Sequence, residues 1–126
     1  MIGRVDDYGR ALISISVRHP ATDVVATWDA WVDTACSAEL VIPLGLISAL
    51  GLTCSGNVKA GLGDGNVVFL DTYSCVIDWS GNRKPIEAVA NEGRFPLIGV
   101  GLLAEFELVV DYPGRTVTVQ ESRHSA

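Results

Sequence analysis

Asp33 is the residue of this sequence that is best placed to do chemistry. It follows the apolar segment Val24–Val32 and opens a loop of small residues, Thr34, Ala35, Cys36 and Ser37. A carboxylate at the end of a buried strand either forms a turn or acts as an acid or base on a rigid support. The residue types alone leave both interpretations open.

Cys36, in the same loop, is a second reactive side chain. A thiolate nucleophile needs a nearby cation or histidine to lower its pKa, and neither His19 nor His124 is close in sequence. We therefore interpret Cys36 as a small side chain that fills the surroundings of the loop. The three cysteines Cys36, Cys54 and Cys75 show no CxxC spacing and lie far from both histidines, so we expect no metal site.

The segment Gly99–Ala104 formally matches the glycine-rich motif of dinucleotide-binding proteins. A dinucleotide-binding domain also requires further parallel strand–helix units, and the chain shows none before this segment and too few residues after it. We therefore expect no organic cofactor. Close packing of a helix on a strand accounts for the two glycines.

Short alternating apolar segments separated by turns predict an all-β fold. Leu44–Leu50 and Gly101–Phe106 are predicted as short helices, the first ending at Gly51. The pattern as a whole indicates a closed barrel, which hides its strand edges. The predicted strands are Ala11–Arg18, Val24–Val32, Asn57–Leu62, Val67–Trp79, Pro85–Ala90, Phe95–Ile98, Phe106–Val110 and Thr116–Val119.

Composition limits the classes of partner. The chain has 126 residues, a formal net charge of −6 and a pI near 4.7, which argues against nucleic acid or an anionic membrane as the main partner. The longest uncharged apolar stretch is shorter than the ~20 residues that span a bilayer, and we expect no signal peptide. We expect one domain over residues 1–126, with a core at about 11–120 and a tail at 121–126. Three cysteines leave at least one unpaired in a monomer, which favours a reducing, cytoplasmic location.

Several segments together resemble the retropepsin-like aspartic proteases (clan AA), in particular their single-domain bacterial and archaeal members. Ala30–Pro43 is similar to the active-site segment of that family, in which Asp-Thr-Gly precedes an apolar triplet and often a proline. Gly63-Asp64-Gly65 lies where those proteins carry the flap hairpin. Phe95–Leu103 looks like their apolar-Gly-x-x-Leu-Leu segment, and Leu108–Val119 is similar to their closing hairpin.

The resemblance implies a homodimeric aspartic endopeptidase that acts on extended peptides and needs no cofactor. One chain carries a single Asp-Thr motif, so Asp33 would meet its symmetry mate about a two-fold axis. Thr34, Ala35, Cys36 and Ser37 would form the active-site loop. The flap over Val58–Phe69 would bind substrate through Gly61, Leu62, Gly63, Asp64 and Gly65, and the loop would be supported by Leu97, Ile98, Gly99, Leu102 and Leu103.

Ala35 departs from the family pattern, which has glycine after the threonine. If the loop required a positive φ there, the alanine side chain would cost about 1–2 kcal/mol. This departure supports an alternative function, a catalytically weak or silent dimeric module that binds extended peptides by strand addition. A barrel of unrelated ancestry that binds a small ligand is a third hypothesis.

Overall fold

The computed structural model describes residues 1–61 and 64–124 and consists mainly of β-strands joined by tight turns. Two short helices, α1 at Leu44–Leu50 and α2 at Val100–Leu103, interrupt the strand pattern. The strands are β1 Ile2–Val5, β2 Ala11–Arg18, β3 Val25–Val32, β4 Leu40–Pro43, β5 Cys54–Gly61, β6 Val67–Trp79, β7 Asn82–Asn91, β8 Leu97–Ile98, β9 Phe106–Asp111 and β10 Thr116–Glu121.

Six of these strands close into a barrel in the order β2-β6-β7-β4-β8-β3. The ring closes because β2 pairs along its length with β3 and also, through Val17 and Arg18, with Ile77 and Val76 of β6. The all-β barrel with two short helices predicted from the sequence is thereby confirmed. Strands β1, β10 and β9 extend the sheet beyond β2, and β5 extends it beyond β6.

The two-residue strand β8 lies between β3 and β4. It runs parallel to β3, with Trp31 opposite Leu97, and antiparallel to β4, with Leu40 opposite Ile98. The chain therefore passes from β3 through the loop at Asp33 to β4, and returns much later to fill the space between those two strands. This arrangement places the residues after β8 directly against the Asp33 loop.

The core lies inside the barrel and follows the alternation of the strands. In β2 the side chains of Ile13, Ile15 and Val17 are buried, whereas Ser14 is exposed and Ser16 is half-buried. Alternation of this kind is what a strand with one face on a core requires. At one end of the core, the buried ring of Trp79 packs edge-to-face on Phe106, with 5.7 Å between ring centroids.

Element bounds match the sequence prediction for β2, β6 and α1, and Gly51 ends α1 with a φ of 66°. The helix predicted at Gly101–Phe106 was placed wrongly. It covers only Val100–Leu103, because Phe106 already pairs with Glu121 in the β9–β10 hairpin. Within residues 1–61 and 64–124, neither helix is long and apolar enough to cross a membrane.

Candidate active site

The Asp33 loop begins where β3 ends and is a tight turn. The Asp33 backbone N–H donates to the carbonyl of Ile98 at 2.8 Å, and the Cys36 N–H donates to the Asp33 carbonyl at 3.1 Å. The Asp33 side chain is half-buried, and its Oδ1 accepts the Ala35 N–H at 3.0 Å. The carboxylate is therefore oriented by the backbone of its own loop.

The first residues after β8 hold this loop in place by backbone hydrogen bonds. The N–H groups of Gly99, Val100 and Gly101 donate to the carbonyls of Glu39, Cys36 and Ala38, at 3.0, 2.9 and 3.2 Å respectively. Three successive donors thus satisfy three loop carbonyls that would otherwise lack partners. The geometry of the loop is set by a segment more than sixty residues away in sequence.

Gly99 permits this close approach because it has no side chain. A Cβ built at Gly99 would lie 2.0 Å from the carbonyl oxygen of Ala38 and 2.9 Å from that of Cys36. A Cβ at Gly101 would lie 2.8 Å from Cγ of Glu39. Close backbone packing thus accounts for both glycines of the formal dinucleotide motif.

Ala35 occupies an ordinary backbone conformation. Among the described residues other than glycine, positive φ angles occur only at Ser80 and Arg115. The alanine therefore imposes no left-handed strain on the loop. The side chains of Thr34, Ala35 and Ser37 are exposed, so this face of the loop is open to solvent in a single copy of the chain.

The residues predicted to support the loop lie beneath it. Ile98, Leu102 and Leu103 are buried in the core, and Leu97 is half-buried on β8 opposite Trp31. The apolar positions of this segment thus anchor β8 and α2, while its backbone contacts the Asp33 loop.

The β5–β6 hairpin carries the predicted flap residues. Gly61 ends β5, and Asp64 and Gly65 lie in the turn before β6. Leu62 and Gly63 lie outside the described residues. Asp64 accepts hydrogen bonds from the backbone and side-chain nitrogens of Asn66 at 3.0 and 2.9 Å, and these bonds lower the pKa of its carboxyl. Asp64 therefore acts as a turn residue.

A cleft of about 560 Å³ separates the hairpin from the Asp33 loop. The residues that line it on the loop side start two positions after Asp33 and are Ala35, Cys36, Ser37, Ala38 and Glu39. On the other sides it is lined by Val41, Val58, Lys59, Ala60, Leu70, Thr72, Glu87 and Val89. The cleft is thus lined by residues of the loop that carries Asp33, and the aliphatic side chains in its walls suit an extended peptide.

The far wall of the cleft, which consists of Leu70, Thr72, Glu87 and Val89, was not identified from the sequence. Leu70 and Val89 belong to strands whose alternation was recognised, but which positions face the cleft depends on the register of β6 against β7. Glu87 was missed because it is a charged residue between two buried positions, Ile86 and Ala88, which is ordinary for the outer face of a strand. No sequence signal identified it.

His19 and Cys75 do not belong to a second reactive site in the described part of the chain. His19 accepts the backbone N–H groups of Ala21 and Thr22 through Nδ1 and so belongs to a turn. Burial raises the pKa of the Cys75 thiol to about 11, which makes it a poor nucleophile. In the described ranges no group of three or more His, Cys, Asp or Glu side chains could hold a metal ion.

Comparison with solved structures places this geometry among known folds. A retropepsin-like aspartic protease from Rickettsia conorii superposes with a TM-score of 0.67 at 15% identity, over 94% of this chain and 88% of that one. EIAV protease, solved with the inhibitor HBY-793, superposes with a TM-score of 0.56 at 14% identity, over 75% of this chain and 86% of that one. By sequence, neither a protein-family profile nor a curated protein matches the chain. The chain has the retropepsin-like fold.

Proposed function

We propose that the chain is an aspartic endopeptidase that functions as a homodimer, with Asp33 of each copy forming the catalytic pair. The observation that supports this most is the position of Asp33. Its half-buried carboxylate sits in a loop fixed by backbone hydrogen bonds, and the residues that follow it in that loop line a cleft of about 560 Å³. The retropepsin-like fold of the solved neighbours supports the same function.

Two carboxylates are required by the chemistry. One takes a proton from the attacking water while the other donates a proton to the carbonyl oxygen of the scissile bond. Two carboxylates a few Å apart cannot both ionise readily, so the pair shares one proton and titrates as a unit. One chain offers one Asp-Thr-small loop, and a two-fold axis supplies the second.

The exposed face of the loop is the part that a second copy would cover. Thr34, next to Asp33, is exposed in one chain and would hydrogen-bond across the axis, which holds the two loops in register. The β5–β6 hairpin would close over the peptide and exclude water. Its exposed Val58, Val67 and Phe69 provide the apolar surface for that contact.

The Asp33→Asn variant tests the proposed chemistry. A diverse peptide pool incubated with the wild-type protein at about pH 4 to 7 should be cleaved, and the variant should cleave none of it. Asp23→Asn is the matched control, because Asp23 is exposed and does not line the cleft, so the variant should leave cleavage in place. Cleavage that persists in Asp33→Asn would contradict the proposal.

A silent peptide-binding module is the second candidate, and the exposed methyl group of Ala35 favours it. In a dimer with facing Asp33 loops, that methyl group would lie where the partner loop approaches. Ala35→Gly separates the two candidates. A protease should keep its cleavage rate within about threefold, since Ala35 has no backbone strain to relieve. A silent module should bind peptides as it stands and gain cleavage only in the variant.

A cytoplasmic location is also part of the proposal. Cys36, Cys54 and Cys75 are all free thiols, and Cys54 is exposed, which is typical of proteins kept in a reducing compartment. Cell fractionation with thiol trapping should recover the protein with all three cysteines reduced. Recovery in an oxidised, exported fraction would contradict this part.

A further inference from the structure

The cleft carries a carboxylate that the proposed reaction does not use. Glu87 lies on β7 between Ile86 and Ala88, both of which are buried in the barrel. Its side chain therefore points to the opposite face of the sheet and lines the cleft. The aliphatic residues Val41, Val58, Leu70 and Val89 line the same cleft, together with the polar residues Glu39, Lys59 and Thr72.

Two serine hydroxyls hold the Glu87 carboxylate in position. Ser74 on β6 donates to Oε1, and Ser55 on β5 donates to Oε2. These hydrogen bonds lower the pKa of the Glu87 carboxyl, so the group is charged at neutral pH. Each oxygen also has a second lone pair, which remains available to a ligand.

The charge of Glu87 is not neutralised within the chain. Both serines are neutral donors, and in the described part of the protein Glu87 belongs to no ion pair. The neighbouring carboxylate, Glu39, is already paired with Lys84 at 3.2 Å. Lys59 is the cation that lines the same cleft, and it is not within ion-pair distance of Glu87. Glu87 is therefore an oriented anion without a cationic partner.

We propose that Glu87 selects peptides with a lysine or arginine side chain at the position that enters this cleft. Such a side chain has an aliphatic stem that would pack on Val41, Leu70 and Val89, and a cationic head that would reach the carboxylate. This inference rests on the proposed function for its claim about substrate, since the peptide would be the one presented to Asp33.

Peptide binding by the Asp33→Asn protein tests the inference without relying on hydrolysis. The probes are pools of capped peptides of about eight residues. In each pool one position of the peptide is lysine, norleucine or glutamate, and successive pools place that residue at successive positions of the peptide. Norleucine keeps the aliphatic stem and lacks the charge. At the position that enters the cleft, lysine should bind about three- to tenfold more tightly than norleucine, and the ratio should fall at high salt.

Three further variants identify the side chain that recognises the charge of the peptide's lysine. Glu87→Gln should reduce the lysine-to-norleucine ratio to about one, whereas Glu107→Gln, on the exposed face of β9, should leave it unchanged. Glu87→Lys should reverse the preference toward glutamate, a gain that misfolding cannot produce. Any one of four results would overturn the inference. These are an absence of peptide binding, an absence of lysine preference, a preference for glutamate in the starting protein, and a lysine preference that survives in Glu87→Gln.

The outcome is separable from that of the proposed function. If the wild-type protein cleaves nothing but binds lysine peptides through Glu87, hydrolysis fails and this inference stands. If cleavage depends on Asp33 but shows no basic preference, the proposed function stands and this inference is wrong.

Discussion

The Asp33 loop and the β5–β6 hairpin border the same cleft, but the chain fixes them by different means. The loop is held by backbone hydrogen bonds from Gly99, Val100 and Gly101 and rests on buried apolar side chains. The hairpin leaves Val58, Val67 and Phe69 41%, 49% and 69% exposed. The backbone of the first region is held by hydrogen bonds within one chain, whereas the second region has an apolar surface that a ligand or partner would cover.

This difference is what a hydrolase of the proposed kind requires. Catalytic groups must be held in one geometry before substrate arrives, because reorganisation during the reaction raises the barrier. A segment that covers the substrate must move, and it therefore depends on few contacts with the rest of the fold. Substitutions in the two regions should accordingly affect different properties.

Two glycine substitutions should show the largest contrast. Gly99→Ala places a Cβ 2.0 Å from a backbone oxygen of the loop, so the free energy of unfolding should fall by about 4 kcal/mol or more. Gly56→Ala, on β5, meets nothing closer than the Thr72 hydroxyl at 3.5 Å and should change it by less than about 1 kcal/mol. Urea unfolding measures both. Equal effects would refute the contrast between the regions.

Two apolar truncations should show a smaller contrast of the same kind. Leu102→Ala opens a cavity in the core beneath the loop and should cost about 3 kcal/mol of unfolding free energy. Phe69→Ala should cost less than about 0.5 kcal/mol, because the ring is exposed, but should weaken peptide binding severalfold. Thermal unfolding and peptide titration measure the two effects. Unchanged peptide binding in Phe69→Ala would contradict a substrate-covering role.

The ion pair between Arg18 and Asp78 lies away from both the Asp33 loop and the hairpin turn, and its loss should give the smallest effect. It links β2 to β6 where the barrel closes, with nitrogen–oxygen distances of 3.1 and 3.0 Å. The hydrogen bonds from Arg18 lower the pKa of the Asp78 carboxyl in the folded state. A lowered folded pKa contributes stability above the unfolded value of about 3.9, and this contribution is lost as the pH falls through the folded value.

Arg18→Gln should therefore melt slightly below the wild-type protein at neutral pH, and the difference should shrink as the pH falls below about 4. Arg94→Gln is the control, because Arg94 is exposed and forms no ion pair among the described residues, so it should show no such pH-dependent difference. A difference in melting temperature that widens in acid would show that another titratable group controls stability where β2 pairs with β6.

The sequence predicted those parts of the molecule whose signals are local. Strands β2 and β6 and helix α1 have alternating or helical apolar patterns that end at turn residues, and the Asp33 loop follows such a strand. Strand β1 was not predicted, because its pairing with β10 depends on residues more than a hundred positions away.

The far wall of the cleft could not be predicted for a similar reason. Glu87 meets Ser55 and Ser74 because of the registers of β5 on β6 and β6 on β7, together with the irregularity between Cys54 and Gly56. Local propensity does not determine such registers, since a shift by one residue would reverse the faces. The space between Gly99 and Ala38 likewise exists only after β8 has entered between β3 and β4.

Mixing wild-type and Asp33→Asn chains tests the shared catalytic pair most directly. The two proteins are unfolded together, refolded in equal amounts, and assayed for peptide cleavage at constant total concentration. If the pair needs one Asp33 from each copy, mixed dimers are inactive and the rate should be about one quarter of the wild-type rate. A rate of about one half would mean that each chain works alone, and would contradict the account.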